Sequence, residues 1–200
     1  PTYLTLSIWV GCTMLVMVLH TTIPRENRRF RNMTVHEEYF GKMLTFGTIS
    51  LIQTTIIIFS AALLLHVQVE SLFIMLLFAF LTSILFTTIV FTLASTFGNL
   101  GKAGVIFLVA LQLAGSGALY PIQLNPLFYR IVYRFFPFAY SVGGFREAVG
   151  GPNMETVFTD AFALLLMIIV TLLLGYFLKA RLQRFTRRIL SDFSKTGLGQ

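Results

Sequence analysis

The residues able to do chemistry in this chain are few and scattered. Gly98-Asn-Leu-Gly101-Lys102-Ala103 echoes a phosphate loop, in which backbone N–H groups and a lysine would cradle an anion. It lacks the loop's spacing and the Ser or Thr that would hold magnesium, and it follows an apolar helix instead of a strand. The expectation here is a turn carrying one positive charge. His20, His36 and His66 lie far apart, and none has a second candidate ligand at helical spacing. Cys12 is the single cysteine, which leaves no disulfide framework and no thiolate metal site. Glu70, Glu155 and Asp160 fall at the edges of apolar stretches, not within them as the carboxylates of proton-coupled pumps do. No nucleophile is paired with a base inside a span. The residues point to no enzyme, no cofactor and no metal.

What surrounds these groups is apolar. The chain of 200 residues is 56% hydrophobic and 12% charged, against roughly 25% charged in an ordinary soluble protein, and its mean hydropathy is +0.81. About 20 apolar residues at helical rise cross a bilayer. Five stretches qualify: Tyr3–Leu19, Met43–Val67, Leu72–Phe97, Ala103–Tyr120 and Thr159–Leu178. They must be helices, because an open sheet would leave unpaired backbone in lipid and the segments lack the alternation of an outer-membrane barrel. The expected fold is an all-α membrane protein forming one domain over residues 1–200. The opening Pro1, with no initiator Met and no signal-peptide n-region, suggests the carboxy-terminal part of a longer protein.

Charge sets the orientation. The net charge is +7, but the basic residues flank spans and form no stripe interleaved with exposed aromatics, so nucleic acid is not the expected partner. Arg25, Arg28, Arg29, Arg31, Lys42, Lys102 and the six basic residues of the tail fall on one side. Only Arg130, Arg134 and Arg146 fall on the other. The positive-inside rule then places the start of the chain outside and the tail in the cytosol.

Three further segments stand out. Thr34-Val-His-Glu37 reads as a capping box, Thr34 closing the first turn of a helix and Glu37 reaching back to it. Before it, Pro24 to Arg31 is a short basic piece around Phe30, readable as a topological anchor or as a docking surface for a cytosolic partner. The segment from Tyr120 to Asp160 is too long and apolar for a solvent loop. Pro121 and Pro126 break the preceding span. Leu127, Phe128, Ile131, Val132, Phe135 and Phe136 then recur at helical spacing, with Arg130 and Arg134 on the remaining face. That pattern suits a helix half-sunk in the interface. Pro137 ends it, and Phe138–Val149 offers a second short helix broken at Gly143-Gly144. A re-entrant hairpin fits best, since irregular backbone at membrane depth needs protein or a cavity to cover it. Arg146 is expected to hold this hairpin by bonding helix ends or pairing with Glu155. The tail past Leu178 reads as a basic amphipathic helix on the inner leaflet. Ala110, Ala114 and Ala118, with Gly104, Gly115 and Gly117 nearby, form a small-residue stripe that suits packing within the monomer or a homodimer equally well.

The run Leu113-Ala-Gly-Ser-Gly117, then Tyr120-Pro-Ile, Pro126-Leu-Phe, Phe136-Pro-Phe, Tyr140 and Phe145-Arg-Glu-Ala-Val-Gly-Gly151 resembles the YhgE/Pip family. Those bacterial membrane proteins have a carboxy-terminal part similar to type-2 ABC exporter permeases. The resemblance covers nearly all of the chain and is densest from Gly98 to Gly151. It implies a six-helix permease fold in the bacterial cytoplasmic membrane, with its first helix and a large extracellular domain upstream of Pro1. Arg25, Arg28, Arg29, Phe30, Thr34 and Glu37 would then lie in the coupling segment that touches an ATPase in true exporters. Pro121, Pro126, Pro137, Tyr140, Arg146 and Glu147 would belong to the re-entrant helices above the path.

Two functions follow. The chain is a membrane anchor and assembly platform for an extracellular domain, in a phage-receptor or type VII secretion accessory role; or it is a dimeric export permease moving a hydrophobic or polymeric substrate with a separate ATPase. The absence of charge inside the spans favours a path for apolar cargo or no path at all, and the platform is slightly preferred because nothing in the sequence demands a substrate path.

Overall fold

The computed structural model of the chain describes residues 1–20, 35–64, 66–117 and 122–195. Among these every regular element is helical. Helices α1 (Thr2–Leu19), α2 (Val35–Leu63), α3 (Leu72–Phe97) and α7 (Met154–Lys195) each carry a stretch long and apolar enough to cross a membrane. Helix α4 (Asn99–Gly115) is apolar but has 17 residues. At 1.5 Å per residue it rises about 25 Å, short of a hydrocarbon core of roughly 30 Å.

The fourth stretch therefore differs from its expected bounds of Ala103–Tyr120. Gly98 adopts φ 59° and ψ −130°, a conformation that costs glycine little and other residues much. It ends α3, and α4 starts at the next residue, so the phosphate-loop echo is a helix corner and not a link. Gly117, at φ 70°, follows the other end of α4. Helix α2 is continuous from Val35, as the capping-box reading expects, although Thr34 itself lies outside the described residues. Helix α7 runs unbroken from the last span through the basic tail to Lys195, so no break in the helix turns the tail onto the membrane surface.

Short elements fill the interval between α4 and α7: a 3₁₀ turn (Ile122–Leu124), α5 (Leu127–Val132), a second 3₁₀ turn (Tyr133–Phe135) and α6 (Pro137–Gly150). Pro137 occupies the first helical position of α6, where its missing N–H would have no partner anyway. The expected break at Gly143-Gly144 is corrected, because α6 is continuous through both residues. The glycines serve packing instead. A Cβ at Gly144 would drive into the Phe78 ring of α3, and one at Gly143 into the Asp160 carboxylate of α7. Two bare Cα atoms let α6 wedge between the two spans, and that contact offsets the helix propensity they forgo.

Helix α3 is the axis of the bundle. It packs against α1, α2, α4, α6 and α7, and its buried side includes Phe78, Phe86, Phe91, Leu85 and Met75. Because lipid is as apolar as leucine, polar contacts and close packing must hold such helices together. Ser50 of α2 sits at the centre of one knot: it bonds Cys12 Sγ of α1 at 3.2 Å, accepts from Thr87 Oγ1 at 2.8 Å and pairs with Ser83. Thr82 Oγ1 donates to Ser141 Oγ of α6 at 3.0 Å, and Ser141 Oγ donates to Pro137 O at 3.0 Å. Trp9 of α1 lies on Phe86 with ring centroids 4.0 Å apart. Gln112 is buried with no partner for its Oε1 among the described residues.

Gly144→Ala should lower stability by about 1–3 kcal/mol through overpacking, more than the roughly 1 kcal/mol that alanine returns as helix propensity. Gly150→Ala, which meets open space, should change it by no more than about 0.5 kcal/mol. Thermal denaturation of the two variants in detergent separates them. Equal melting temperatures would remove the wedge from the account of the fold.

Candidate functional site

Two clusters sit at opposite ends of the bundle. At one end α1 finishes, α2 begins, and α3 turns into α4; this is the basic end. At the other lie the start of α3, the finish of α6 and the start of α7; this is the hairpin end. The backbone N–H of Ser71 donates to Ala148 O at 3.1 Å, so the turn between α2 and α3 and the hairpin share one end, as the charge pattern requires of them.

The basic end is held by a cation on a helix terminus. Lys102 Nζ, in the first turn of α4, donates to Met17 O and to His20 O, both at 2.9 Å. These carbonyls belong to the last turn and cap of α1, where unpaired acceptors and the negative end of the helix dipole favour a positive charge. The lysine that sequence reading leaves as one charge in a turn is thus the clasp between α4 and α1.

Beside the clasp, Phe91 of α3 lies fully buried among three aromatic neighbours. The His20 ring meets it edge-on at 5.4 Å, Tyr39 at 5.3 Å and Phe46 at 5.4 Å. Edge and tilted arrangements in this range are the favoured ones for aromatic pairs. The Tyr39 hydroxyl bonds Thr92 Oγ1 at 2.8 Å and reaches α7 at Gly175, where a Cβ would occupy its place. His20 ends α1 and Tyr39 lies in the first turns of α2. The end of α1 and the start of α2 therefore meet on a single side chain of α3, with α4 tied in by Lys102. Nothing in the spacing of these residues signals this arrangement, because Phe91 and Lys102 lie in other helices, far along the chain from His20 and Tyr39.

Of the expected coupling residues, Arg25, Arg28, Arg29, Phe30 and Thr34 lie outside the described residues. Glu37 is exposed in the first turn of α2, and the next turn carries an i,i+4 pair, Lys42 Nζ to Glu38 Oε1 at 2.5 Å.

At the hairpin end the expected residues separate by role. Pro126 precedes α5 and Pro137 opens α6, while Pro121 lies outside the described residues. Tyr140 O–H donates to Arg134 O at 2.8 Å and closes the bend around Pro137. Glu147 Oε2 accepts from the Asn153 N–H at 2.7 Å and ties the end of α6 to the start of α7. Asn153 caps α7, its Oδ1 accepting from Glu155 N at 3.1 Å. Arg146 does not take its expected part. It is exposed and, among the described residues, makes no ion pair with Glu155. Glu147, one residue along, closes the hairpin in its place.

No group of three or more metal-ligating side chains converges among the described residues. The two clusters fasten helices to one another.

Comparison with known proteins agrees with this architecture. No solved structure matches the chain significantly. The chain is 28% identical over 179 residues to the uncharacterized protein YhgE of Bacillus subtilis (strain 168), covering 88% of this chain and 23% of that protein. It thus spans about a quarter of the length of the curated relative it matches. The resemblance to YhgE-like proteins expected from the motifs is borne out, and so is an all-α membrane fold of permease type. The model of the ABC-2 family transporter proteins matches residues 2–177, nearly the whole chain, and the chain belongs to that family.

Proposed function

We propose that the chain is the membrane permease module of an ATP-driven assembly, with residues 21–34 as the surface on which a separate cytosolic ATPase docks. The observation that carries this reading is the joint at the basic end. Both flanks of the segment meet on Phe91, and Lys102 ties α4 to the carbonyls where the segment leaves α1. A segment that served only as a positive anchor would need no such connection to α3 and α4. A segment that receives motion needs one, since displacement passes through packed side chains and rigid helices.

In this reading the basic end faces the cytosol and the hairpin end faces out. Twelve of the 15 Lys and Arg residues lie in segments at the basic end, which supports that orientation. Ala110 and Ala114 are exposed and Gly104 meets open space, which supports a homodimer, while Gly115 is buried under Tyr129 and Phe136 and serves packing within the chain; Ala118 lies outside the described residues. Residues 1–200 act as one domain in this reading.

A second reading has its own support. The chain corresponds to only 23% of its relative, so most of such a protein lies elsewhere. The membrane part would then serve as anchor and assembly platform for an extracellular domain, in a phage-receptor or secretion accessory role.

Two predictions separate the readings. Lys102→Met removes a charged donor from two helix-end carbonyls, a loss of about 1–3 kcal/mol. In a working permease it should leave the ATPase bound but abolish the stimulation of its ATP hydrolysis, and Lys102→Arg should keep it. Thr34→Ala removes a cap worth about 0.5–2 kcal/mol while every positive charge stays. It should weaken ATPase co-purification with membrane insertion unchanged. On a platform both variants should be silent in function, and only joint removal of Arg25, Arg28, Arg29 and Arg31 should disturb insertion.

Orientation has a direct test. In a Cys12→Ser background, cysteines placed at Glu70 and at Arg28 should react with an impermeant thiol reagent from opposite faces of sealed vesicles, Glu70 from outside. Reaction from the same face would reject the topology.

A further inference from the structure

Four buried side-chain atoms have no hydrogen-bond partner among the described residues: Trp9 Nε1, Thr13 Oγ1, Thr96 Oγ1 and Gln112 Oε1. Thr96 stands apart, at the end of α3 that meets Gly98. The other three belong to neighbouring helices, Trp9 and Thr13 to α1 and Gln112 to α4, which pack against each other. Their residues are 0%, 5% and 2% exposed. A folded protein rarely buries such groups without giving them a partner.

Their levels along the bundle coincide. Helices α1 and α4 run in opposite directions, since Lys102 in the first turn of α4 reaches Met17 and His20 at the end of α1. Gln112 lies about 15 Å of helical rise beyond Lys102. Counted back along α1 from those two carbonyls, the same rise ends at Ser7–Val10. Carried instead across α3, through the Gly98 corner and the contact of Cys12 Sγ with Ser83 O, the level of Gln112 falls at Thr13. The turn from Trp9 to Thr13 lies between the two.

Their faces also agree. At about 100° of rotation per residue, Thr13 sits about 40° from Met17, whose carbonyl takes the α4 lysine, and Trp9 sits about 40° from Thr13. Gly11, on the opposite side of α1, meets Gln53 of α2 instead. Gln112 lies on the buried face of α4 with Val105 and Gly115. Complementary groups that lie close without bonding directly are those a water bridges.

The chemistry of the three atoms selects the occupant. An indole N–H only donates, an amide oxygen only accepts, and a hydroxyl does either. An anion would meet the Gln112 oxygen with like charge, and a cation would meet the Trp9 N–H in the same way. A small neutral molecule that both accepts and donates satisfies all three. Water does so, and about three bonds is its usual number inside a protein.

We propose that the seam between α1 and α4 holds a bound water molecule in the interior of the bundle. It accepts from Trp9 Nε1–H, donates to Gln112 Oε1 and shares its third bond with the Thr13 hydroxyl. The water is a second tie between α1 and α4, within the span, where the Lys102 clasp works at its end. The site does not depend on whether the chain transports anything.

The test uses the full-length protein in lipid bilayers, isotope-labelled at its indole nitrogens. Trp9 is the single tryptophan of this chain, and its solid-state NMR signal is the one lost in Trp9→Phe, which keeps a ring on Phe86. Magnetisation should pass from water to the Trp9 indole nitrogen in the unaltered protein. Gln112→Leu and Thr13→Val, close in volume but unable to make the bonds, should slow that transfer several-fold. Gln53→Leu, on the far side of α1, should leave it unchanged. A cryo-EM map of the unaltered protein, at a resolution that shows ordered water, should place density between Trp9 and Gln112, and it needs no variant to fold. Absence of transfer to Trp9, or transfer undiminished in Gln112→Leu, would overturn the proposal. So would a map in which Trp9 bonds Gln112 directly, or in which a lipid or another part of the protein fills the position.

Discussion

Everything in this bundle leans on the burial of one uncharged helix. A helix in a bilayer gains nothing by exchanging lipid for another apolar helix unless surfaces fit closely or polar groups find partners. Helix α3 meets both conditions along its length. Its Phe78, Phe86 and Phe91 are fully buried, and its hydroxyls reach α2 and α6 through Ser83, Thr87 and Thr82. Helices α1, α2, α4, α6 and α7 all pack on it, while α5 is held by α4. A change at α3 is therefore felt at both ends of the molecule.

The two ends use this axis differently. Phe78 near the hairpin end receives the bare backbone of α6 at Gly144, a fit that tolerates no added atom. Phe91 near the basic end receives three rings, two of them from the flanks of one segment. The first contact positions a rigid wedge. The second collects elements that arrive from different helices, and Lys102 adds α4 through charge-assisted bonds. One helix thus links the hairpin at one end to the close of α1 and the start of α2 at the other, in a chain of the ABC-2 family. Its absence of ionisable groups fits a part that moves or holds without carrying protons.

How much of the site was legible varied with the kind of signal. The hairpin's shape was open to reading because proline acts locally: Pro126 and Pro137 mark helix starts through their own geometry, whatever lies opposite. The role of Arg146 was misread because nothing local distinguishes a charge that clamps from one that faces solvent; its neighbour Glu147 reaches Asn153, and it does not. Gly143-Gly144 was misread for a related reason. Glycine weakens an isolated helix, and only the presence of Phe78 and Asp160 opposite turns that weakness into a contact.

Sequence alone determined that the chain is helical and membrane-embedded, because hydrocarbon allows a backbone no other continuous way to cross, and stretches such as Leu72–Phe97 hold no charge. The uneven spread of basic residues also assigns the turn before α3 and the hairpin to one side, and the Ser71–Ala148 bond places them at one end. Tertiary structure decided what each face meets. The clasp of Lys102 on α1, the gathering of His20 and Tyr39 on Phe91, and the short reach of α4 all join residues that lie in separate helices. Periodicity tells which residues of a helix look the same way, but the partner they look at is chosen only when the helices pack.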